Sequence, residues 1–131
     1  MEDSFKFEII NPEGIVFSDM ANMVTFPSYE GDMSVLKNHI STITFLRPGI
    51  IKAKLGNGNS EDFFVEDGTV EYFNDNLVIL STSATNIKNL SKEFLDKLSM
   101  DTQNVLTEKS INDHERYILN HKLDVIKGIR I

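Results

Sequence analysis

The apolar residues of this 131-residue chain keep two different periods, and the change from one to the other near Thr85 limits the folds open to it. Before that point they recur at every second position, as on a strand with one buried face. After it they recur every three or four, as on an amphipathic helix. In "FKFEI", Phe5, Phe7 and Ile9 share one face, with Lys6 and Glu8 on the other. Asn11-Pro12-Glu13-Gly14 breaks that strand. "IVF" at 15–17 and "MVTF" at 23–26 supply more strand material, the second stopped by Pro27, and "ITFL" at 43–46 is closed by Arg47-Pro48-Gly49. Ile51, Ala53 and Leu55 then alternate with Lys52 and Lys54. In "GNGNS", Asn57-Gly58 favours positive φ at both central positions and predicts a tight hairpin turn. "DFFVEDGTVEYF" and "NLVILST", separated by Asn74-Asp75-Asn76, add further strands. Short strands with turn chemistry between them indicate an antiparallel sandwich or barrel.

Residues 90 to 106 contain no Pro or Gly. Leu90, Phe94, Leu98 and Val105 lie near one helical face, widened by Leu95 and Leu106. Thr107-Glu108-Lys109 reads as a short connection, and Ser110 with Asp113 three residues later matches the spacing of a capping box. In the second helix Ile118, Leu119, Leu123, Val125 and Ile126 are apolar, and Gly128 is its expected end. A three-residue connection makes the two helices antiparallel neighbours. The expected architecture is therefore β then α: an N-terminal antiparallel β-sandwich over residues 1–85 and a C-terminal two-helix hairpin over residues 86–131. Such a hairpin has little core of its own and must dock on the sandwich, on a partner, or on each in turn.

Charge and composition remove several functions. The net charge is −7, with six basic against thirteen acidic residues in 1–90 and seven against seven in 91–131. No basic stripe is available to neutralise a nucleic-acid backbone, so nucleic acid is not an expected partner. There is no cysteine, hence no disulfide, thiolate zinc site or cysteine nucleophile. No apolar run has the length of a signal peptide or a membrane span, so membrane contact is expected only through another protein; an Arg-rich presequence is absent, so a bacterial setting is expected over mitochondrial import.

The stretch "PSYEGDMSVLKNHIS", residues 27–41, sets a sharper question. Glu30, Asp32 and His39 could form an acid–base group, since a carboxylate can orient a histidine that titrates near neutrality. Against that, Glu-Gly-Asp makes a turn and Asn38-His39 sits in a polar loop without evident convergent partners. "HERYILNH" at 114–121 is no zincin helix: its histidines are seven apart, about 10 Å along a helix axis at ~1.5 Å per residue, too far to share one zinc ion. "GNGNS" lacks the helix N-terminus that a phosphate cradle needs. No Gly-x-Ser-x-Gly elbow occurs. Neither a catalytic group, a metal nor a cofactor is expected.

Pro27, Glu30-Gly31-Asp32, Val35-Leu36, His39, Leu46 and Pro48-Gly49 stand in an order and spacing that resembles the epsilon subunit of rotary proton-translocating ATP synthases. "IINPEGIVFS" at 9–18 is similar to that family's opening, and "FFVEDGTVEYFNDNLVILSTSA" at 63–84 to its later strand pair. The resemblance covers residues 5–85 in sequence and the hairpin in architecture. It implies a non-catalytic part of the central rotor, peripheral to the cytoplasmic side of a bacterial inner membrane, joining the gamma subunit to the ring of membrane subunits c. It further implies that Glu30, Gly31 and Asp32 meet the ring, that His39 faces gamma, and that the stretch 27–41 is read by partners.

The chain also departs from the family pattern. Ser34 replaces a Gly, Lys37-Asn38 a Pro-Gly, and Glu66-Asp67-Gly68 a Ser-Gly-Gly run. Asn38 is expected to take the left-handed conformation that Gly supplies. Some members bind ATP on the hairpin through an Asp and an Arg; the matching run here is Leu90, Ser91, Lys92, Glu93, Phe94 and Leu95, which lacks both. An extended hairpin inhibits hydrolysis in this family by reaching the catalytic alpha and beta subunits, and here Lys122, Lys127 and Arg130 outnumber Asp124 near the C-terminus. Two rivals stand beside this reading. One is a hydrolase using Glu30, Asp32 and His39. The other is a stand-alone β-sandwich that binds a small ligand, which would call for exposed aromatic platforms in a chain with no Trp and only Tyr29, Tyr72 and Tyr117.

Overall fold

A computed structural model describes residues 3–129. They form two compact units that divide between Asn86 and Ile87. The first unit contains nine strands: β1 (Phe5–Asn11), β2 (Gly14–Ser28), β3 (Gly31–Val35), β4 (Thr42–Leu46), β5 (Gly49–Leu55), β6 (Ser60–Val65), β7 (Gly68–Phe73), β8 (Asn76–Leu80) and β9 (Thr85–Asn86). They pair in the order β1-β8-β7-β4-β2-β5-β6-β9, with β3 on β2, and β1 also pairs β2, so the sheet folds over on itself as a sandwich. Every pair is antiparallel except β1–β8, which runs parallel from Lys6↔Asn76 to Ile10↔Leu80. Parallel neighbours need a long connection, and these two strands are separated by most of the sandwich sequence.

Strand β2 belongs to both layers. Its first half pairs β1 from Asn11↔Gly14 to Phe5↔Ala21. Its second half pairs β3 and β5, with a register shift between Ala21 and Met23 where one partner gives way to the other. The core fills the space between layers, as the period-two pattern requires: Phe5, Phe7 and Ile9 are all sealed. Phe17 bridges Phe7 and Phe63 at ring distances of 5.7 and 5.1 Å, and Phe5 meets Tyr72 edge to face at 5.7 Å. Each such side chain removed from water contributes about 1.5–3 kcal/mol.

Several local expectations change. Pro27 does not stop its strand. It pairs with Asp32 inside the β2–β3 ladder, and its carbonyl accepts from the Arg47 amide at 3.0 Å, so this strand end uses the carbonyl and does not need the missing N–H. Glu30-Gly31-Asp32 is not wholly a turn, because Gly31 and Asp32 already belong to β3. The "GNGNS" hairpin forms, but only Gly58 has positive φ, at 89°, and its amide closes a turn on the Leu55 carbonyl at 3.1 Å. The two-residue turn with both φ values positive lies instead at Asn74 (50°) and Asp75 (58°), between β7 and β8.

In the second unit a short 3₁₀ turn, Ile87–Asn89, precedes α1 (Lys92–Leu106) and α2 (Asp113–Gly128). Leu90 lies before α1. Ser91 caps it, accepting from the Phe94 amide at 3.0 Å. Asn112, not Ser110, caps α2, accepting from the Glu115 amide at 2.8 Å. The connection is accordingly longer than three residues. The buried stripe of α1 is Leu95 and Thr102, flanked by half-buried Leu98 and Leu106, while Phe94 and Val105 face outward. Gly128 is the last helical residue, and Ile129 leaves in an extended conformation instead of a left-handed cap. The helices are antiparallel: Arg116, at the start of α2, donates from Nη1 to the Leu106 carbonyl at the end of α1 (3.0 Å).

Candidate functional site

Residues 27–41 form a hairpin and a loop that reach opposite ends of the sandwich. At the first end Tyr29 and Glu30 make the turn and Gly31, at φ 118°, opens β3, a conformation that strains any residue with a Cβ. The Glu30 amide donates to Ser28 Oγ at 3.1 Å and the Tyr29 amide to the Phe45 carbonyl at 3.1 Å, which fixes the turn from both sides. Glu30 and Asp32 are exposed and Gly31 is half-buried. The pairs Ser28↔Leu46 and Leu46↔Gly68 put this acidic turn beside the start of β7.

At the second end the chain leaves Val35 and turns over Leu36–His39, where the His39 amide donates to the Leu36 carbonyl at 3.1 Å. Asn38 has φ 66°, the left-handed conformation expected of it. His39 is half-buried, its ring edge to face with Tyr72 at 5.6 Å. Its Nδ1 lies 2.7 Å from the Ile40 carbonyl, which can only accept, so this nitrogen is the donor. From Asp32 to the end of β3 is already about 10 Å at ~3.4 Å per residue, and His39 lies four residues further on. The structure therefore does not bring Glu30, Asp32 and His39 together, and the acid–base group has no geometric basis.

Between these ends runs a surface that the periodicity analysis missed. On β4, Leu46 is buried, so Thr44 and Thr42 point inward with it and Ile43 and Phe45 point out, at 72% and 58% exposure. Phe73 on β7, whose neighbour Tyr72 is sealed, faces the same way, and Ile40 is exposed just before the strand. Three large apolar side chains on one outer face, with Ile40 beside them, make this a candidate contact surface. The signal was available: in Thr-Ile-Thr-Phe-Leu the apolar residues occupy both phases, and once Leu46 is inside, Ile43 and Phe45 must be outside.

The other candidates give less. Among the described residues no group of three or more His, Asp or Glu side chains could hold a metal ion. His114 and His121 lie on α2, two turns apart. The Leu90–Leu95 run is occupied by the α1 cap and first turn. Lys122 and Lys127 lie on α2, and Arg130 falls outside the described residues. No helix among the described residues is long and apolar enough to cross a membrane.

The site is thus an apolar outer sheet face with an acidic turn at one end and a braced histidine loop at the other, on a β-sandwich followed by a helical hairpin as a second unit. The family is settled by comparison. The model for the ATP synthase delta/epsilon chain β-sandwich domain matches residues 4–87, and the chain belongs to that family. It is 40% identical to the ATP synthase epsilon chain of Pelagibacter ubique over 130 residues, covering 98% of this chain and 99% of that one. It is 29% identical to the epsilon chain of Rhizobium etli over 133 residues, covering 98% and 97%. Its fold resembles a chain in the Euglena gracilis mitochondrial ATP synthase at a TM-score of 0.73, with 17% identity and 95% and 78% coverage. A chain of the Tetrahymena thermophila mitochondrial ATP synthase central stalk and c-ring matches at a TM-score of 0.63, with 12% identity and 93% and 92% coverage.

Proposed function

We propose that this chain is a non-catalytic rotor subunit in the central stalk of a proton-translocating ATP synthase, coupling the gamma subunit to the membrane c-ring during ATP synthesis. In this reading the sandwich is the coupling body and the hairpin a regulatory arm. The observation that carries it is the exposed strip of Ile40, Ile43, Phe45 and Phe73 leading to His39, on a sandwich whose family is known. His39 and the strip face gamma. Glu30, Gly31 and Asp32, at the far end, face the polar loops of the ring. The chain lies peripherally on the cytoplasmic side of the inner membrane and touches it only through these partners.

Native mass spectrometry of the chain co-expressed with gamma from the same organism tests the assignment. A one-to-one complex is expected, weakened by His39→Ala or Phe45→Ser and retained by Asp32→Ala, which instead loosens the hold of the rotor on the ring. A chain that stays alone beside folded gamma would return the sandwich to a ligand-binding role. The hairpin, with Lys122 and Lys127 on α2, is the element that reaches the catalytic alpha and beta subunits to restrain hydrolysis. Equal ATPase rates of the complex with the full chain and with one ending at Asn86 would remove that role.

A further inference from the structure

We propose that Asp75 is a positioning residue for the gamma-facing loop: its carboxylate, set in the β7–β8 turn, fixes residues 36–40 and so the presentation of His39. The inference rests on the reading of His39 as a gamma contact. One oxygen, Asp75 Oδ1, receives two donors at 2.8 Å, the Asn38 amide and the Tyr72 hydroxyl. The first of these crosses 37 positions of sequence and holds the left-handed residue at the centre of the Leu36–His39 turn. The second steadies Tyr72, whose hydroxyl also donates to the Leu36 carbonyl at 3.2 Å and whose ring meets the His39 imidazole in a T-shaped contact. Asp75 is anchored in turn, since its own carbonyl accepts from the Lys6 amide on β1 at 3.1 Å. One side chain thus ties both the backbone and the aromatic support of the loop to the β7–β8 turn and, through it, to β1. Hydrogen bonds to a charged acceptor are the stronger kind, so removing this acceptor loosens the loop at its centre. The electrostatics agree with this geometry. The Asn38 amide and the Tyr72 hydroxyl hold the Asp75 carboxyl below its usual range, with Lys37 adding to the effect.

The discriminating variant is Asp75→Gly in the full chain. Asn-Gly is a preferred pair for a turn with two positive φ values, so the hairpin survives while the acceptor is lost. Two quantities are read: amide exchange in the isolated chain, and affinity for the gamma subunit. Exchange at Asn38 is expected to quicken about tenfold and affinity to fall about tenfold, the ratio given by about 1.4 kcal/mol. Strand amides from Val70 to Ile79 hold their protection, and Asp75→Asn, which keeps an oxygen acceptor and tolerates the turn, recovers most of both. Tyr72→Phe, which leaves the turn intact, loosens the loop by a smaller factor and serves if the glycine variant is unstable. Unchanged exchange at Asn38, or wild-type affinity despite faster exchange, overturns the inference while leaving the gamma assignment standing. Failure of the wild-type chain itself to bind gamma overturns both.

Discussion

In the sandwich, Phe5, Phe7, Phe26, Phe63 and Tyr72 each keep 1% exposure or less, whereas the second unit's best-buried apolar side chains, Leu90, Leu95, Leu123 and Ile126, keep 6–8%. The difference is one of dimension. A sandwich buries two facing surfaces against each other, while two helices share only a seam, and here part of the seam is Thr102, whose hydroxyl donates back to the Leu98 carbonyl at 2.7 Å. One region is a body with a sealed interior, and the other is a pair of helices held by a narrow strip and by their caps.

The comparison can be broken most forcefully at Phe7. Phe7→Ala is expected to cost about 3–5 kcal/mol in chemical denaturation followed by tyrosine absorbance, because the cavity opens in the sealed interior beside Phe17. Leu95→Ala, at the thinner seam, is expected to cost about 2 kcal/mol, the low end for a leucine. Its effect should register in the helical circular dichroism melt without moving the Phe7-sensitive transition. A common shift of both signals would show that the two units unfold as one.

Alkaline titration probes the sandwich through Tyr72. Burial first, and then the bond and charge of Asp75, push the Tyr72 hydroxyl up from 10.0 to about 12. A raised folded-state value means that the contribution is complete below pH 10 and falls as pH climbs from 10 towards 12, where the unfolded chain has already released its proton. The denaturation midpoint should decline over that window more steeply in the wild type than in Tyr72→Phe. Asn112→Ala is expected to cost the hairpin about 1 kcal/mol by freeing the Glu115 amide, whereas Ser110→Ala should stay within about 0.5 kcal/mol. A reversal of those last two would restore Ser110 as the cap.

The sandwich-then-hairpin architecture was legible because Phe5, Phe7 and Ile9 alternate and residues 90–106 are free of breakers. Two neighbouring local signals competed at the second helix, and Asn112 with Glu115 at the third helical position fits the cap pattern as well as Ser110 with Asp113; only the chain's packing chose between them. The α1 stripe was misplaced because its true seam includes Thr102, a residue that apolar periodicity passes over. Glu30, Asp32 and His39 are close in sequence, and nothing short of the strand between them reveals that they are apart in space. The Asp75 tie was invisible for the opposite reason, because its partner is 37 residues away.

The parallel β1–β8 pair bears on how the chain is made. Lys6 and Asn76, seventy positions apart in sequence, must meet, the kind of distant pairing that slows folding. During synthesis β1 can find β2 within its hairpin as soon as both have emerged, but its other edge has no partner until residues 76–80 follow. For that interval a strand carrying Phe5, Phe7 and Ile9 presents open amides and carbonyls to whatever else is nearby. Lys6 and Glu8, which face away from those three and lie within 3.7 Å of each other, place charge on the growing edge during the wait.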